Sequence, residues 1–129
     1  MRVFKNAWFS RFVRKEKISA ASLWDAVKRA EKGLCDADLG SGVIKQRIAR
    51  PGEGKSKGYR SILLFRKDDK SFFVYGFPKS DLSNIRDDEE RAFKKMAMHV
   101  FALTDAQLNE LISNGQFEEV LENGKEISE

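Results

Sequence analysis

The sequence predicts one α+β domain, an N-terminal helix pair packed on a curved, mostly antiparallel sheet with further helices at the C-terminus. Three patterns carry this expectation. Apolar residues recur at helical spacing between Ala7 and Lys32. Three strand-like runs, separated by turn residues, follow between Val43 and Phe77. Helical spacing then returns from Asp87 onward. Helices first, strands together and helices last is the order of an α+β layer rather than of a parallel α/β sheet.

Each element has its own justification. Arg2 to Asn6 reads as a short strand around Val3 and Phe4. In Ala7 to Lys17, Trp8, Phe9, Phe12 and Val13 form one stripe, with Arg11, Arg14 and Lys15 off it. Ser19 is placed to cap a second helix that turns Leu23, Ala26, Val27 and Ala30 inward and stops at Gly33. The segment from Gly33 to Gly42, with three glycines and two aspartates, reads as a loop. Val43 to Arg50 alternates Val43, Lys45 and Arg47 against Ile44, Gln46 and Ile48, so one face is mostly basic. Residues 51 to 58 read as the connecting loop, and Tyr59 to Lys67 as the next strand. Asp68-Asp69-Lys70 is a tight turn, and Ser71 to Phe77, without a charge, is a central strand buried on both faces and ended by Pro78. Asp87 to Phe101 is a helix with four acids at its positive end and Phe93, Met96, Ala97, Val100 and Phe101 inward. Thr104 and Gln107 form a capping box for a last short helix, stopped at Asn114-Gly115. The domain is expected over 1–115, and 116–129 as an acidic tail, frayed or ordered by a partner.

Composition narrows the function. The 129 residues suffice for one modest core. No apolar run approaches the roughly 20 residues of a membrane helix, and no secretory leader opens the chain, so a cytoplasmic protein is expected. Cys35 and His99 are the only residues of their kinds, which argues against an internal disulfide, a zinc site or any metal cofactor. The net charge of +4 hides an asymmetry: residues 1–70 hold 18 Lys and Arg against 8 Asp and Glu, while residues 71–129 hold 6 against 12. The positive half suits a phosphate backbone.

That charge is densest between Ile44 and Arg60, where Lys45, Arg47, Arg50, Lys55, Lys57 and Arg60 stand against one acid, Glu53. A basic strand-loop-strand carrying Tyr59 points to nucleic acid, and to RNA in particular. Ala49-Arg-Pro-Gly-Glu-Gly-Lys-Ser56 fits a permissive nucleotide phosphate-loop pattern. That motif needs a helix after it, whereas Tyr59 onward is strand-like, so an ATPase or GTPase is rejected.

The run from Val43 to Arg60, with Phe72-Phe-Val-Tyr-Gly-Phe-Pro-Lys-Ser80 and Asn84-Ile85, resembles the RelE-like toxins of bacterial type II toxin–antitoxin modules, most closely a HigB-like subgroup. The resemblance covers about residues 1 to 100 and agrees with the element order above. It implies a RelE-like fold and a small ribonuclease that enters the ribosomal A site and cuts messenger RNA. It also implies a cognate antitoxin that folds onto the toxin and blocks it as a hetero-oligomer. In that family an Arg after Gly-Tyr is catalytic or clamps phosphate, and Arg60 matches it. Lys79 matches a basic position after the last strand. Lys57 adds a charge where the family often has Gly, and is grouped with Arg60 and Lys79 as catalytic.

The chemistry of such a cut is attack by a 2′-hydroxyl on the adjacent phosphate. It needs a proton acceptor, positive charge for the phosphorane and a donor for the 5′ oxygen. Paired histidines are absent, which leaves Lys and Arg to do the work on RNA held in shape by the ribosome. Lys45, Arg47, Arg50 and Lys55 are expected on phosphates, and Tyr59 on a base. Against this stand plainer roles. Arg60 would pair with Asp68 or Asp81, Trp8, Trp24 and Tyr75 would be core, His99 structural and Cys35 an incidental thiol. Two other functions compete: a ParE-like toxin that inhibits gyrase, and a non-catalytic RNA- or DNA-binding module.

Overall fold

The chain runs β1 (Arg2–Asn6), α1 (Ala7–Glu16), α2 (Ala20–Glu31), β2 (Ala37–Gly40), β3 (Val43–Arg50), β4 (Gly54–Phe65), β5 (Lys70–Pro78), α3 (Asp87–Phe101), α4 (Asp105–Ser113) and β6 (Phe117–Val120). The structure is a computed structural model that describes residues 1–50, 54–78 and 85–122, with backbone alone at 54–57. The strands form one sheet in the order β2-β3-β4-β5-β1-β6. Every pairing is antiparallel except β1 with β5. The α+β expectation holds.

Alternation divides the sheet into two faces. The inner face packs Val3, Ile44, Ile48, Leu63 and Phe73 against Phe9 and Val13 of α1 and Leu23 and Val27 of α2. The outer face packs Phe4, Val43, Leu64 and Phe72 against Ala97 and Val100 of α3 and Leu108 of α4. Each large apolar side chain buried in this way contributes about 1.5–3 kcal/mol. The helix ends behave as their residues dictate. Asn6 accepts from Phe9 N at 2.8 Å, Ser19 from Ser22 N at 3.1 Å, and Thr104 and Gln107 cap each other's backbone. Strand β5 is central and buried along most of its length, with one extra residue, Val74, where its register against β4 shifts between Leu63↔Phe73 and Ile62↔Tyr75.

Three expectations need correction. The loop between Gly33 and Gly42 contains β2, which pairs with β3 through a two-residue turn. Ser41 (φ 59°) and Gly42 (φ 82°) both sit in the left-handed region, as that turn requires. The loop expected over 51–58 is strand from Gly54 onward, paired at Arg50↔Gly54 across a register shift. Gly58 is there for packing: a Cβ would lie 2.3 Å from Ile48 O. Residues 51–53 fall outside the described residues.

Third, the segment expected as an acidic tail contains a strand. Phe117–Val120 is edge strand β6 on β1, with Phe117 in the outer core and Val120 in the inner. Glu119 pairs with Arg2 at 2.9 Å and Glu118 with Lys5 at 3.2 Å, so these acids serve the basic N-terminal strand. Trp24 Nε1 donates to Val120 O at 3.0 Å. Residues 123–129 lie outside the described residues.

Candidate nucleic-acid interface

The alternation of β3 places Ile44, Gln46 and Ile48 under α2 and leaves Lys45 and Arg47 on the outer face. On β4, Tyr59 and Leu63 face inward while Arg60 and Ile62 face outward. The register then sets Arg47 directly opposite Arg60, and Lys45 opposite Ile62. Directly opposed side chains on neighbouring strands lie about 5 Å apart at Cβ, so two like charges here repel. The apolar cluster beneath α3 includes neither arginine, and their side chains are 30% and 29% exposed.

Among the described residues, one carboxylate answers the pair. Asp36 Oδ1 lies 3.7 Å from Arg47 Nη2, and Asp36 Oδ2 lies 3.7 Å from Arg60 Nε. Both distances are ion-pair contacts too long for a hydrogen bond. The Nε atoms of Arg47 and Arg60 are buried and, among the described residues, have no hydrogen-bond partner. Two opposed cations, each side chain about 30% exposed, with one carboxylate between them among the described residues, make a site suited to a further anion.

The backbone holds this arrangement from behind. Buried Gln46 donates through Nε2 to Ala26 O (2.8 Å) and Leu34 O (2.9 Å), tying the middle of α2 and the segment after it to β3. Asp36 N donates to Lys45 O at 3.0 Å. Arg29 Nη2 donates to Arg47 O at 2.6 Å, and Ser61 Oγ to Gln46 O at 2.9 Å.

The expected site residues therefore separate. Arg47 and Arg60 come together, and Lys45 shares their face. Arg50 does not join them. It is exposed, with its guanidinium over the ring of inward-facing Tyr59 at 5.7 Å. Tyr59 is a correction. It is 2% exposed, meets Phe12 edge-on at 5.7 Å and donates its hydroxyl to Glu16 Oε1 at 3.1 Å, so no ring face is open to a base. The side chains of Lys55 and Lys57 and the whole of Lys79 lie outside the described residues. Arg60 has an acidic partner, but it is Asp36 rather than Asp68, which sits in the turn after β4; Asp81 is outside the described residues.

Asp36 was the residue sequence reasoning missed. It stands in a stretch read as loop, and only its proximity to an opposed arginine pair gives it a role. On β5, Tyr75 lies opposite Ile62, two residues along from Phe77, which faces Arg60, and it is half-buried among Trp8 (4.7 Å), Phe93 and Phe77. Trp8 is 38% exposed, so it caps this aromatic cluster rather than lying in the core. His99 is exposed on the last turn of α3. Burial, with Asp38 and Asp36 adding, pushes the Cys35 thiol up, which keeps it protonated. A separate cavity of about 380 Å³ lies between α1, α4 and β6, where Arg11 and Arg14 face Glu118 and Glu119. No helix among the described residues is long and apolar enough to cross a membrane.

A family model described as RelE toxin of RelE / RelB toxin-antitoxin system matches residues 1–120, ending at the last residue of β6. No curated protein compared with the chain matches it.

Proposed function

Since this chain belongs to the family of RelE toxins from RelE / RelB toxin–antitoxin systems, we propose that it arrests growth as a metal-independent endoribonuclease that cuts messenger RNA in the ribosomal A site. A toxin of this family has a cognate antitoxin as partner. The observation that carries the ribonuclease reading is the Arg47–Arg60 pair, directly opposed and partly exposed on the outer face of the most basic strands. An RNA phosphodiester supplies the acceptors and charge that one aspartate at 3.7 Å does not. Preorganised guanidiniums also stabilise the charge that builds on phosphorus as the 2′ oxygen attacks. Lys45 extends the positive track along β3, Lys55 is assigned to a phosphate, and Lys57 and Lys79 are assigned with Arg60 to the cut itself. Arg50, stacked over Tyr59, is assigned to a more distant phosphate. The run from Val43 to Arg60 supports a HigB-like subgroup, and messenger RNA as substrate supports a cytoplasmic setting.

The test is induced expression of this chain alone, followed by primer extension on a reporter message. New 5′ ends inside translated codons are expected. Arg60→Ala should lower cutting about 10²–10³-fold while the melting temperature holds. Growth arrest without cuts would favour a gyrase target, and no arrest a plain binding module.

A further inference from the structure

We propose that Asp36 is the general base of the cut, the group that takes the proton from the attacking 2′-hydroxyl. This rests on the ribonuclease reading above. Such a reaction needs a proton acceptor beside the phosphate clamp. The one histidine, His99, is exposed on the last turn of α3. The carboxylate that touches the arginine pair is Asp36, with one oxygen directed to each guanidinium.

Geometry and charge both favour a working base over a mere counter-ion. A phosphate meeting the exposed part of the two arginine side chains lies beside Asp36, because Asp36 Oδ1 is 3.7 Å from Arg47 Nη2 and Oδ2 is 3.7 Å from Arg60 Nε. In a reactive geometry the 2′ oxygen is about 3–3.5 Å from the phosphorus it attacks, which brings its proton into the range of a carboxylate at that edge. Two guanidiniums carry two positive charges. One phosphodiester and one carboxylate balance them, so the RNA need not expel Asp36. The aspartate side chain is 21% exposed, open enough for a ribose to meet it. The backbone bond from Asp36 N to Lys45 O and the Gln46 clamp on Leu34 O keep it in place as the RNA arrives.

The step balances. The 2′ O–H proton passes to a carboxylate oxygen of Asp36 as the 2′ oxygen's electron pair forms a bond to phosphorus. The bond from phosphorus to the 5′ oxygen breaks, its electron pair leaves with that oxygen, and the oxygen takes a proton from water. The products are a 2′,3′-cyclic phosphate and a 5′-hydroxyl, and Asp36 returns its proton to water.

The experiment measures single-turnover cutting of a message on programmed ribosomes, with binding measured separately on a message carrying 2′-deoxy nucleotides at the cut. Asp36→Ala should lose about 10²–10⁴-fold in rate, with affinity for the uncleavable message within about threefold of wild type. Added formate, a small carboxylate, should restore cutting to Asp36→Ala and leave Arg60→Ala unchanged. Asp36→Glu should retain more activity than Asp36→Ala. Asp36→Ala cutting at the wild-type rate would overturn the proposal. So would a rate loss matched by lost binding, or one that neither formate nor Glu repairs, since each makes Asp36 a structural counter-ion. A wild-type chain that cuts nothing would overturn the ribonuclease reading itself.

Discussion

Strands β3 and β4 carry the same alternation from end to end, yet their two ends on the outer face differ. At one end Val43 faces Leu64 beneath α3, both buried, with Phe72 and Val100 completing the layer. At the other, Arg47 faces Arg60, both about a third exposed, with Asp36 the one acid between them among the described residues. The inner face shows no such change, since Ile44, Ile48, Tyr59 and Leu63 are buried throughout. The covered end gains from the removal of apolar surface from water. The open end carries like charges opposed and donors unmatched, an arrangement that costs stability and suits the binding of an anion.

Three substitutions would break or sharpen this contrast. Phe72 is 1% exposed and stacks on Phe4 at 5.0 Å, with Phe117 at 5.3 Å. Phe72→Ala should cost about 3–5 kcal/mol in urea unfolding while activity per folded molecule is kept. If activity falls further than the folded fraction, the two ends are coupled. Gly58→Ala tests that coupling directly, because the new Cβ would lie 2.3 Å from Ile48 O. It should cost about 1–3 kcal/mol and also displace Arg60, so unfolding and cutting should both suffer. The smallest effect has the opposite sign. Arg47→Leu removes a like-charge pair and should leave stability unchanged or raise it by up to about 1 kcal/mol. It should also reduce by about one unit the steepness with which RNA affinity falls with salt. A destabilised Arg47→Leu would mean that the Asp36 bridge outweighs the repulsion.

Much of this was legible in the chain. The helical stripes, the Ser19 and Thr104 caps, the bounds of β3 and the central place of β5 follow from local periodicity and capping chemistry. The misread segments share one cause. Gly40, Gly42, Gly58 and the acids of 117–120 were taken at their local meaning, as breakers or solvated tail. In each, tertiary pairing gave the residue another use: a turn with two left-handed residues, a close approach of strands, ion pairs to Arg2 and Lys5. The basic stretch was visible as a stretch, but not which of its members act together. Tyr59 and Arg50 belong to the opposite face from Arg47 and Arg60 because the side-chain period of a strand is two.

By itself the sequence determined the fold class, the two amphipathic helix pairs and a band of positive charge too dense to be a scattered solvated surface. Those are properties of neighbours along the chain, carried by spacing and composition. Tertiary structure alone decided that Arg47 meets Arg60 and that Asp36, eleven residues before one and twenty-four before the other, lies between them. Strand register and the path of the chain after α2 set that meeting. Both depend on contacts between residues far apart in sequence, such as Gln46 with Ala26 and Leu34, which no local pattern encodes.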